Sequence, residues 1–488
     1  MATDRDTFDR AGQFNLEECR ILSYRHDKDK LPISIDILGI LVNFEIREDI
    51  LTSNVMGRIV VYDMQDIRTV LPITGLERLS LTFKSPGISG YDYSDVTGVP
   101  LQIYKVDSVQ EDPNQPKAQG YIIYFCSPEM YRNSITKVSK AYAGPVENAV
   151  NDIIRNYLKS NKPFFFEPTA TNTKVVIPNL KPYRAIALLA KSAVPSQFPN
   201  NSGYVFYENS QGFYFRSVAS MLAYNSIGSE ITPRWKFASM ISSVTENEKM
   251  PQVRDVERRL SSVIRYDYKR PVDVLGNINE GLYANKVISH NAFNKTITTT
   301  DFDYIKEGKK QPHNEMRKEA GLLYPEGVEY ADTRTPLNQH YESKVMVNTN
   351  TTKKHNDYED TKSSKLGIRT SFKQSMVNHN LTLLVYGNTM VNAGDIILFT
   401  QQVKKPQDSA TDEGLNNYSS GRYLVVAIKH MVNVSAQRHE MVLECQKDSV
   451  RSAFPTEEEA LSNIGQDKTS KLNIYNEQLK EFEGDVYV

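Results

Sequence analysis

The sequence has few cysteines and no long apolar run. Cys19, Cys126 and Cys445 lie far apart, are odd in number and form no CxxC pair. We therefore expect neither a disulfide framework nor a cysteine-based zinc site, and the thiols fit synthesis in a reducing compartment. No run approaches the roughly 18 apolar residues of a membrane-spanning helix, and the polar first residues lack a secretion signal. No membrane-spanning segment is expected.

The chain also lacks an excess of charge of one sign. It has 58 basic and 59 acidic residues, which gives a formal net charge of −1. A protein that binds nucleic acid tightly normally carries a basic excess, with which it displaces counterions. A polybasic cluster for a membrane surface is missing too. The composition therefore favours neither of these two binding classes.

Catalytic motifs are absent as well. The sequence contains no HExxH, GxSxG, Walker loop or GxGxxG, the patterns that place metal ligands, nucleophiles or phosphates. Gly87-Ile-Ser-Gly90 falls short of a nucleophile elbow. The acidic run at 457–459 fits the first turn of a helix, where carboxylates complement the helix dipole. A carboxylate pair for glycoside hydrolysis stays open, because its separation is a spatial property.

Two histidines are the nearest approach to a metal site. A hairpin could bring His430 and His439 together, with Glu440 as a third ligand. Adjacent strand positions face opposite sides, however, so His439 and Glu440 do not easily share a site. We expect exposed or partner-facing histidines. The sequence thus predicts no catalytic, cofactor-binding or metal-binding residue, no cofactor and no enzyme activity.

What is present is a chain of 488 residues, enough for about three domains at roughly 150 residues each. The first ~130 residues are typical of antiparallel β structure. Ile33–Ile46 is rich in β-branched residues, and Leu76–Phe83 alternates with period two. Further short strands are predicted near Gly57–Tyr62, Leu101–Val109 and Tyr121–Cys126. This pattern predicts a small barrel or sandwich.

The middle of the chain contains helices. Pro145 opens an amphipathic helix that extends to Leu158. Its predicted core residues are Val150, Ile153, Ile154 and Leu158. Pro182 opens a second helix, and a hairpin follows at residues 204–216. Polar tracts dominate 225–365, and we expect the stretch 348–365 to be a poorly packed surface extension.

β character returns towards the C-terminal side. Asn380–Tyr386 and Ile396–Thr400 are predicted strands, and Tyr423–Val432 forms a hairpin with His439–Cys445. Residues 451–488 are charged, with a helix expected from Pro455. β-rich regions thus bracket a middle that contains helices.

The order of these features resembles the baseplate hub protein of T-even-type contractile phages. The features that carry the resemblance are ILVNFEIREDILTSNVMGRIVVYD in the first β region, Ala143-Gly-Pro-Val-Glu147, Val176–Ala190, the hairpin GYVFYENSQGFYF, Gly281–Ile288 and VNAGDIILF. The resemblance covers roughly residues 30 to 450. More distantly, the chain is similar to the N-terminal region of type VI secretion spike proteins.

The resemblance implies an α+β fold in which two antiparallel β-barrel tube domains flank a mixed α/β domain, discontinuous in sequence. The first tube domain would span 1–130, and the mixed domain with its polar extension 131–250 and 281–365. The second tube domain would combine 251–280 and 366–450, and 451–488 would be a charged C-terminal segment.

The resemblance further implies a structural protein of the virion, made in the host cytoplasm and located in the tail baseplate. A homotrimeric ring would adapt the sixfold tail tube to the threefold central spike and form the channel for genome ejection. Partners would be the spike and tail-tube or tube-initiator proteins, with wedge and tape-measure proteins as further candidates. DNA would pass without specific binding. The alternatives are a receptor- or carbohydrate-binding tail protein and a tail-associated murein hydrolase.

Overall fold

A computed structural model describes the larger part of the chain. The described residues are 10–26, 32–112, 115–170, 172–199, 203–223, 235–239, 259–269, 273–291, 295–308, 310–311, 313, 321–322, 336–350, 361–401, 416 and 418–450. The charged C-terminal segment 451–488, with the helix expected from Pro455, lies outside them. No helix among the described residues is long and apolar enough to cross a membrane.

Strands dominate the structure. They are β1 (Asn15–His26), β2 (Pro32–Asp36), β3 (Leu41–Asp49), β4 (Met56–Asp63), β5 (Arg78–Lys84), β6 (Tyr91–Tyr93), β7 (Leu101–Asp112), β8 (Gln115–Cys126), β9 (Val138–Pro145), β10 (Phe164–Phe166), β11 (Asn172–Leu180), β12 (Tyr204–Asn209), β13 (Gly212–Ser217), β14 (Trp235–Ser239), β15 (Ser262–Lys269), β16 (Ala284–Asn291), β17 (Thr296–Asp303), β18 (Gly321–Leu322), β19 (Val345–Asn350), β20 (Asn380–Tyr386), β21 (Ile396–Thr400), β22 (Gly421–Asn433), β23 (Arg438–Gln446) and β24 (Ser449–Val450).

Helices are short except for the last one. They are α1 (Ile67–Val70), α2 (Pro128–Ile135), α3 (Val146–Asp152), α4 (Pro182–Ala190), α5 (Val218–Leu222), α6 (Val274–Asn279), α7 (Tyr304–Gly308) and α8 (Thr361–Asn378). A π-helical turn, Ile153–Tyr157, extends α3. Short 3-10 turns lie at Leu38–Ile40, Leu337–Gln339 and Tyr341–Ser343.

A closed six-stranded barrel is formed mainly by the C-terminal part of the chain. Its strand order is β22-β21-β14-β15-β20-β23, and the ring closes because β22 also pairs with β23. The inward positions of these strands are apolar and fully buried, as Leu383, Ile397 and Leu443 illustrate. The barrel thus encloses a core of its own.

The N-terminal strands form a curled but open sheet. Their order is β2-β1-β5-β7-β8-β4-β3, antiparallel throughout. Phe44 on β3 and Phe83 on β5 lie four strand positions apart along this sheet, yet their ring centroids are 5.1 Å apart. The sheet therefore wraps around a common core, although no pairing between described residues closes the ring.

One long strand joins the two units. Residues 427–433 of β22 pair with β3, and residues 424–433 pair with β23 on the other side. On the inward face of β22, Val432 packs in the N-terminal core and Ile428 in the barrel core. All these strands belong to one 14-stranded sheet, so the two units share a wall.

The middle of the chain confirms the predicted helix. Val150, Ile153, Ile154 and Leu158 are all fully buried. Their helix packs with α4, the hairpin of β12 and β13, and the ribbon of β9 and β11. The apolar stripe in the sequence therefore marked a true core face.

The structure differs from the expected fold in several places. It is mostly β, and among the described residues only the C-terminal unit closes as a barrel. That barrel is not wholly antiparallel, since β14 runs parallel to both neighbours. The sequence around β14 is polar, and for that reason we expected this range to belong to the mixed domain.

The polar stretch 348–365 was also misjudged at its ends. Residues 348–350 pair with β16, and residues from Thr361 begin helix α8. That helix continues into the range expected for the second barrel, and Ile368, Phe372 and Met376 anchor it at four-residue spacing. Residues 351–360 lie outside the described part of the chain.

Candidate functional site

The two histidines singled out in the sequence do meet, but they are not exposed. His430 and His439 are both fully buried, and Nδ1 of His430 lies 3.0 Å from Nε2 of His439. The expectation of exposed or partner-facing histidines is therefore wrong, because β6 and the loop after β20 cover this end of the hairpin. Glu440 points to the opposite face and ion-pairs with Arg438. Among the described residues, no three His, Cys, Asp or Glu side chains are placed to hold a metal ion.

The histidines end a chain of four buried polar side chains at the junction of the two β units. The hydroxyl of Tyr91 lies 2.9 Å from Oε1 of Glu48 and 3.0 Å from Nε2 of His430. Glu48 also accepts hydrogen bonds from the backbone N–H of Ser210 at 2.8 Å and of Ala393 at 3.2 Å. This carboxyl therefore ties together the N-terminal sheet, the hairpin of β12 and β13, and the barrel.

Protonation follows from the geometry. Burial lowers the pKa of His439 to about 3 and that of His430 well below its usual value, so both rings are neutral. When Tyr91 donates to the ionised Glu48, Nε2–H of His430 donates to the Tyr91 oxygen. Nε2–H of His439 then donates to Nδ1 of His430. The face of the His439 ring lies against Gly387, where an added Cβ would come within 2.1 Å of Cγ and 2.2 Å of Nδ1.

Among these four hydrogen-bonded side chains, Glu48 is the one whose charge can change near neutral pH. Burial raises its pKa to about 7, although hydrogen bonds from Ala393, Tyr91 and Ser210 favour the ionised form. Sequence reasoning missed Glu48 and Tyr91. The available signal was that Glu48 follows Phe44 and Ile46 at period two, which places a carboxyl on an apolar face.

A second buried cluster fastens the middle of the chain to the N-terminal sheet. Nζ of Lys162 lies 2.9 Å from Oε2 of Glu129 and 2.5 Å from Oε1 of Glu208. Oε2 of Glu208 accepts a hydrogen bond from the N–H of Val55, and Ser160 donates to Glu129. Burial raises the pKa of Glu208. It also opposes ionisation of Glu129, yet Lys162 and Ser160 hold that pKa below its usual value.

The three cysteine thiols have no reactive setting. All three cysteines are buried, and burial raises the pKa of the Cys126 thiol to about 12 and those of Cys19 and Cys445 further. A thiol in such surroundings stays protonated and unreactive. Ser89 is an exposed residue in the turn between β5 and β6, and its carbonyl accepts a hydrogen bond from Thr389.

The outer face of the joined sheet carries a continuous row of side chains, which we call the outer ladder. Neighbouring strands pair these residues one to one, so their side chains point to the same side. In order across the strands they are Lys105, Tyr124, Arg58, Glu45, Met431, Glu440 and Tyr386. All are exposed or half-buried.

Charges on this face are paired with one another. Arg58 donates two hydrogen bonds to Glu45, at 3.0 Å from Nε and 2.8 Å from Nη2. Arg438 pairs with Glu440, and Lys105 pairs with Asp107. Tyr124 lies beneath Lys105, whose Nζ is 5.2 Å from the ring centroid. The face is therefore polar and rich in charge, but locally balanced.

Comparison with known proteins gives fold relatives only. No protein-family profile and no curated protein sequence matches the chain. A solved tail protein from Neisseria meningitidis superposes with a TM-score of 0.50 and 9% identity, covering 89% of this chain and 97% of that one. A 43 kDa tail protein of prophage MuSo2 from Shewanella oneidensis gives 0.49 and 7%, with coverage of 88% and 98%.

A type VI secretion component from E. coli, described as similar to the T4 tail proteins gp27 and gp5, gives a TM-score of 0.36 at 8% identity. It covers 86% of this chain and 76% of that one. Structures that resemble this chain are thus phage tail proteins and type VI secretion proteins, in agreement with the resemblance in the sequence. The likeness to the Neisseria meningitidis tail protein, at a TM-score of 0.50 and 9% identity, shows a shared fold.

Proposed function

We propose that this chain is a structural subunit of the central hub in the baseplate of a contractile phage tail. The observation that carries the proposal is the fold shared with a solved tail protein over 89% of this chain and 97% of that one. In the proposed assembly, three chains form a ring that joins the sixfold tail tube to a threefold spike. The lumen of the ring is the channel for genome ejection.

The joined sheet supports this role by its construction. Each chain carries two β units that share strand β22, the closed barrel and the curled N-terminal sheet. Three chains then supply six β units, which can meet the sixfold tube one to one. The middle part and residues 451–488 would keep threefold symmetry and meet the spike. Closed rotational symmetry is the usual outcome for a self-associating chain.

The buried clusters support a rigid adaptor rather than a catalyst. Glu48 and Glu208, the latter paired with Lys162, each connect the N-terminal sheet to other parts of the chain through buried polar contacts. We propose that no residue is catalytic and that the tube-domain division at residues 1–130, 251–280 and 366–450 describes the assembly, with β14 added to the second unit. Wedge and tape-measure proteins remain proposed partners.

The test is the mass of the purified protein in solution together with imaging of its symmetry. We expect a mass of three chains, near three times 55.5 kDa, and a threefold ring with six similar lobes. A protein that stays monomeric with its spike, or a ring of six chains, would contradict the proposal.

Labelling of intact particles separates the hub from a receptor- or carbohydrate-binding tail protein. A hub lies on the tail axis, whereas an adhesin lies at the edge of the particle. Turnover on purified cell wall would instead indicate a murein hydrolase, and we expect none.

A further inference from the structure

We infer that the small sheet of β16, β17 and β19 is an interface between copies of this chain, in which the free edge of β17 pairs with the free edge of β19 in the next copy. This inference rests on the proposed ring of three chains and names a surface that would hold neighbouring copies together. β16 is the middle strand, antiparallel to β17 and parallel to β19. Among the described residues, β17 and β19 are therefore the two outermost strands of this sheet.

The sheet is covered by its own chain on one face only. α8 lies against the inner face, where Val287 is buried and the sulfur of Met346 accepts a hydrogen bond from α8 at 3.4 Å. On the outer face, Ile297 is 68% exposed, Val345 43% and Val347 72%. The outer face thus carries apolar side chains that no described part of the chain covers.

The two outermost strands are regular and uncharged where they pair with β16. Residues 296–301 of β17 are all exposed, and residues 296–300 read Thr-Ile-Thr-Thr-Thr. β19 reads Val-Met-Val-Asn-Thr-Asn. Both strands keep a constant register with β16, without a bulge. β-branched residues favour strands, so the sheet presents two even edges suited to further strand pairing.

Other outermost strands of this chain carry features that prevent edge-to-edge pairing. β2 contains Pro32, and its register with β1 is shifted. β11 contains Lys174 and Pro178, and its register with β9 is shifted as well. Proline, lysine and irregular register are the means by which proteins protect a free edge. β17 and β19 have none of these within their paired residues, as expected for strands that are covered in the assembled protein.

A second copy of the chain fits these edges by direction and by side-chain pattern. β17 and β19 run antiparallel to each other, so a sheet placed alongside in the same orientation brings its β19 antiparallel to β17. Main-chain hydrogen bonds would then join the sheets, as in other cases of strand addition. We expect the register that sets Ile297 opposite Val347 of the partner subunit, because both side chains belong to the outer face and would cover each other.

The symmetry of this contact agrees with a ring of three. Each copy would use one edge to meet the copy before it and the other edge to meet the copy after it. Such a head-to-tail contact closes into a ring when the rotation between copies fits. Pairing of β17 with a second β17 would instead need a twofold axis and would leave β19 uncovered.

Cysteine pairs test the contact directly. Under mild oxidation, a chain with both Ile297→Cys and Val347→Cys should give covalent trimers, and a mixture of the two single variants should give covalent dimers. Within one chain β16 separates the two positions by roughly 10 Å, which is too far for a disulfide. The three native cysteines are buried. The control pairs Ile297→Cys with Val176→Cys, which is equally exposed at 69%, and should give no cross-link.

Two further pairs cover the neighbouring registers, since a shift of two residues keeps the same faces together. They are Ile297→Cys with Val345→Cys and Thr299→Cys with Val347→Cys. Ile297→Lys should also weaken association of the copies by up to roughly fivefold at each interface, because it sets a charge opposite an apolar side chain. Val176→Lys, the matched control on β11, should leave association unchanged. Thermal melting establishes that each variant is folded.

Trimers in which none of the three pairs cross-links would overturn the inference and leave the proposed function standing. Cross-linking of Ile297→Cys with itself would overturn it too, because it indicates pairing of β17 with a second β17. Equal association of the two lysine variants would also contradict it. A chain that stays monomeric with its spike contradicts the proposed ring and the inference together, and the mass measurement detects that outcome separately.

Discussion

Removing the ammonium group of Lys162 should show how much of the stability of the middle part of the chain depends on one buried charge. In Lys162→Met, Glu129 and Glu208 lose their shared cation while both side chains remain about 1% exposed. Breaking a buried ion pair by removing one partner typically costs about 3–5 kcal/mol, because the remaining charge is uncompensated. We expect a loss in this range at pH 8, in the contacts that join β12 to the N-terminal sheet.

The loss should depend on pH with a definite sign. Without Lys162, the folded-state pKa values of both carboxyls rise above the unfolded value near 4.5. Between the unfolded and folded values the folded state then binds more protons, so lowering the pH from 8 to 5 should restore stability. The restoration is at most about 1.4 kcal/mol per pH unit for each titrating carboxyl.

Amide hydrogen exchange on β12 and β13 is the suitable assay, because it reports the local opening of the contacts that join β12 to the N-terminal sheet. Lys140→Met removes an exposed ion pair with Asp152 and should cost no more than about 1 kcal/mol. Adding Glu129→Gln and Glu208→Gln to Lys162→Met should recover most of the loss and remove its pH dependence. A loss below about 1 kcal/mol that does not change with pH would refute the reasoning.

Three further predictions test the core and the junction. Ile154→Ala should cost about 2–5 kcal/mol in unfolding free energy, because the side chain is fully buried, and a cost below ~0.5 kcal/mol would contradict the helix packing. Gly387→Ala should lower the stability of the fold by about 1–3 kcal/mol, because the new Cβ would lie 2.1 Å from the His439 ring. Gly39→Ala is the control: its Cβ would have no atom within 4 Å, so thermal melting should show no such loss of stability. Burial gives His439 a pKa of about 3 in the folded state, against 6.5 in the unfolded state, so the unfolded state binds more protons below pH 6.5. The free energy of unfolding should therefore fall by up to about 1.4 kcal/mol for each pH unit below 6.5. Urea titrations at several pH values should show a smaller slope for His439→Gln.

Local sequence patterns were enough to predict the elements whose side chains follow a regular helical or strand spacing. The stripe from Val146 to Leu158 and the hairpin that ends in β23 are examples, because side chains a few residues apart determine each of them. The approach of His430 and His439 was predictable for the same reason. Their burial was not, since the covering residues, Tyr91 and Gly387, come from distant positions.

Long-range pairing explains the remaining misses. β14 is short and lies among polar residues, and only its parallel pairing with β15 and β21 identifies it as a barrel strand. α8 contains many polar residues, so its anchors, the buried Ile368 and Met376 and the half-buried Phe372, stand out only once the two clusters they pack in are in place. Glu48 and Glu208 each bond a residue more than 150 positions away, Ser210 and Val55 respectively, and no local pattern specifies such contacts.

The shared strand decides how the two β units respond to force. If they were separate domains on a linker, relative motion would be the default expectation. Here residues 427–433 of β22 hydrogen-bond to β3 and to β23 at once, and Glu48 fastens the same place from inside. Rotation of one unit against the other would break the hydrogen bonds between β22 and its neighbouring strands, and it would at the same time expose the buried carboxyl of Glu48. The pair should therefore move as one body, as the proposed role of an adaptor between a tube and a spike requires.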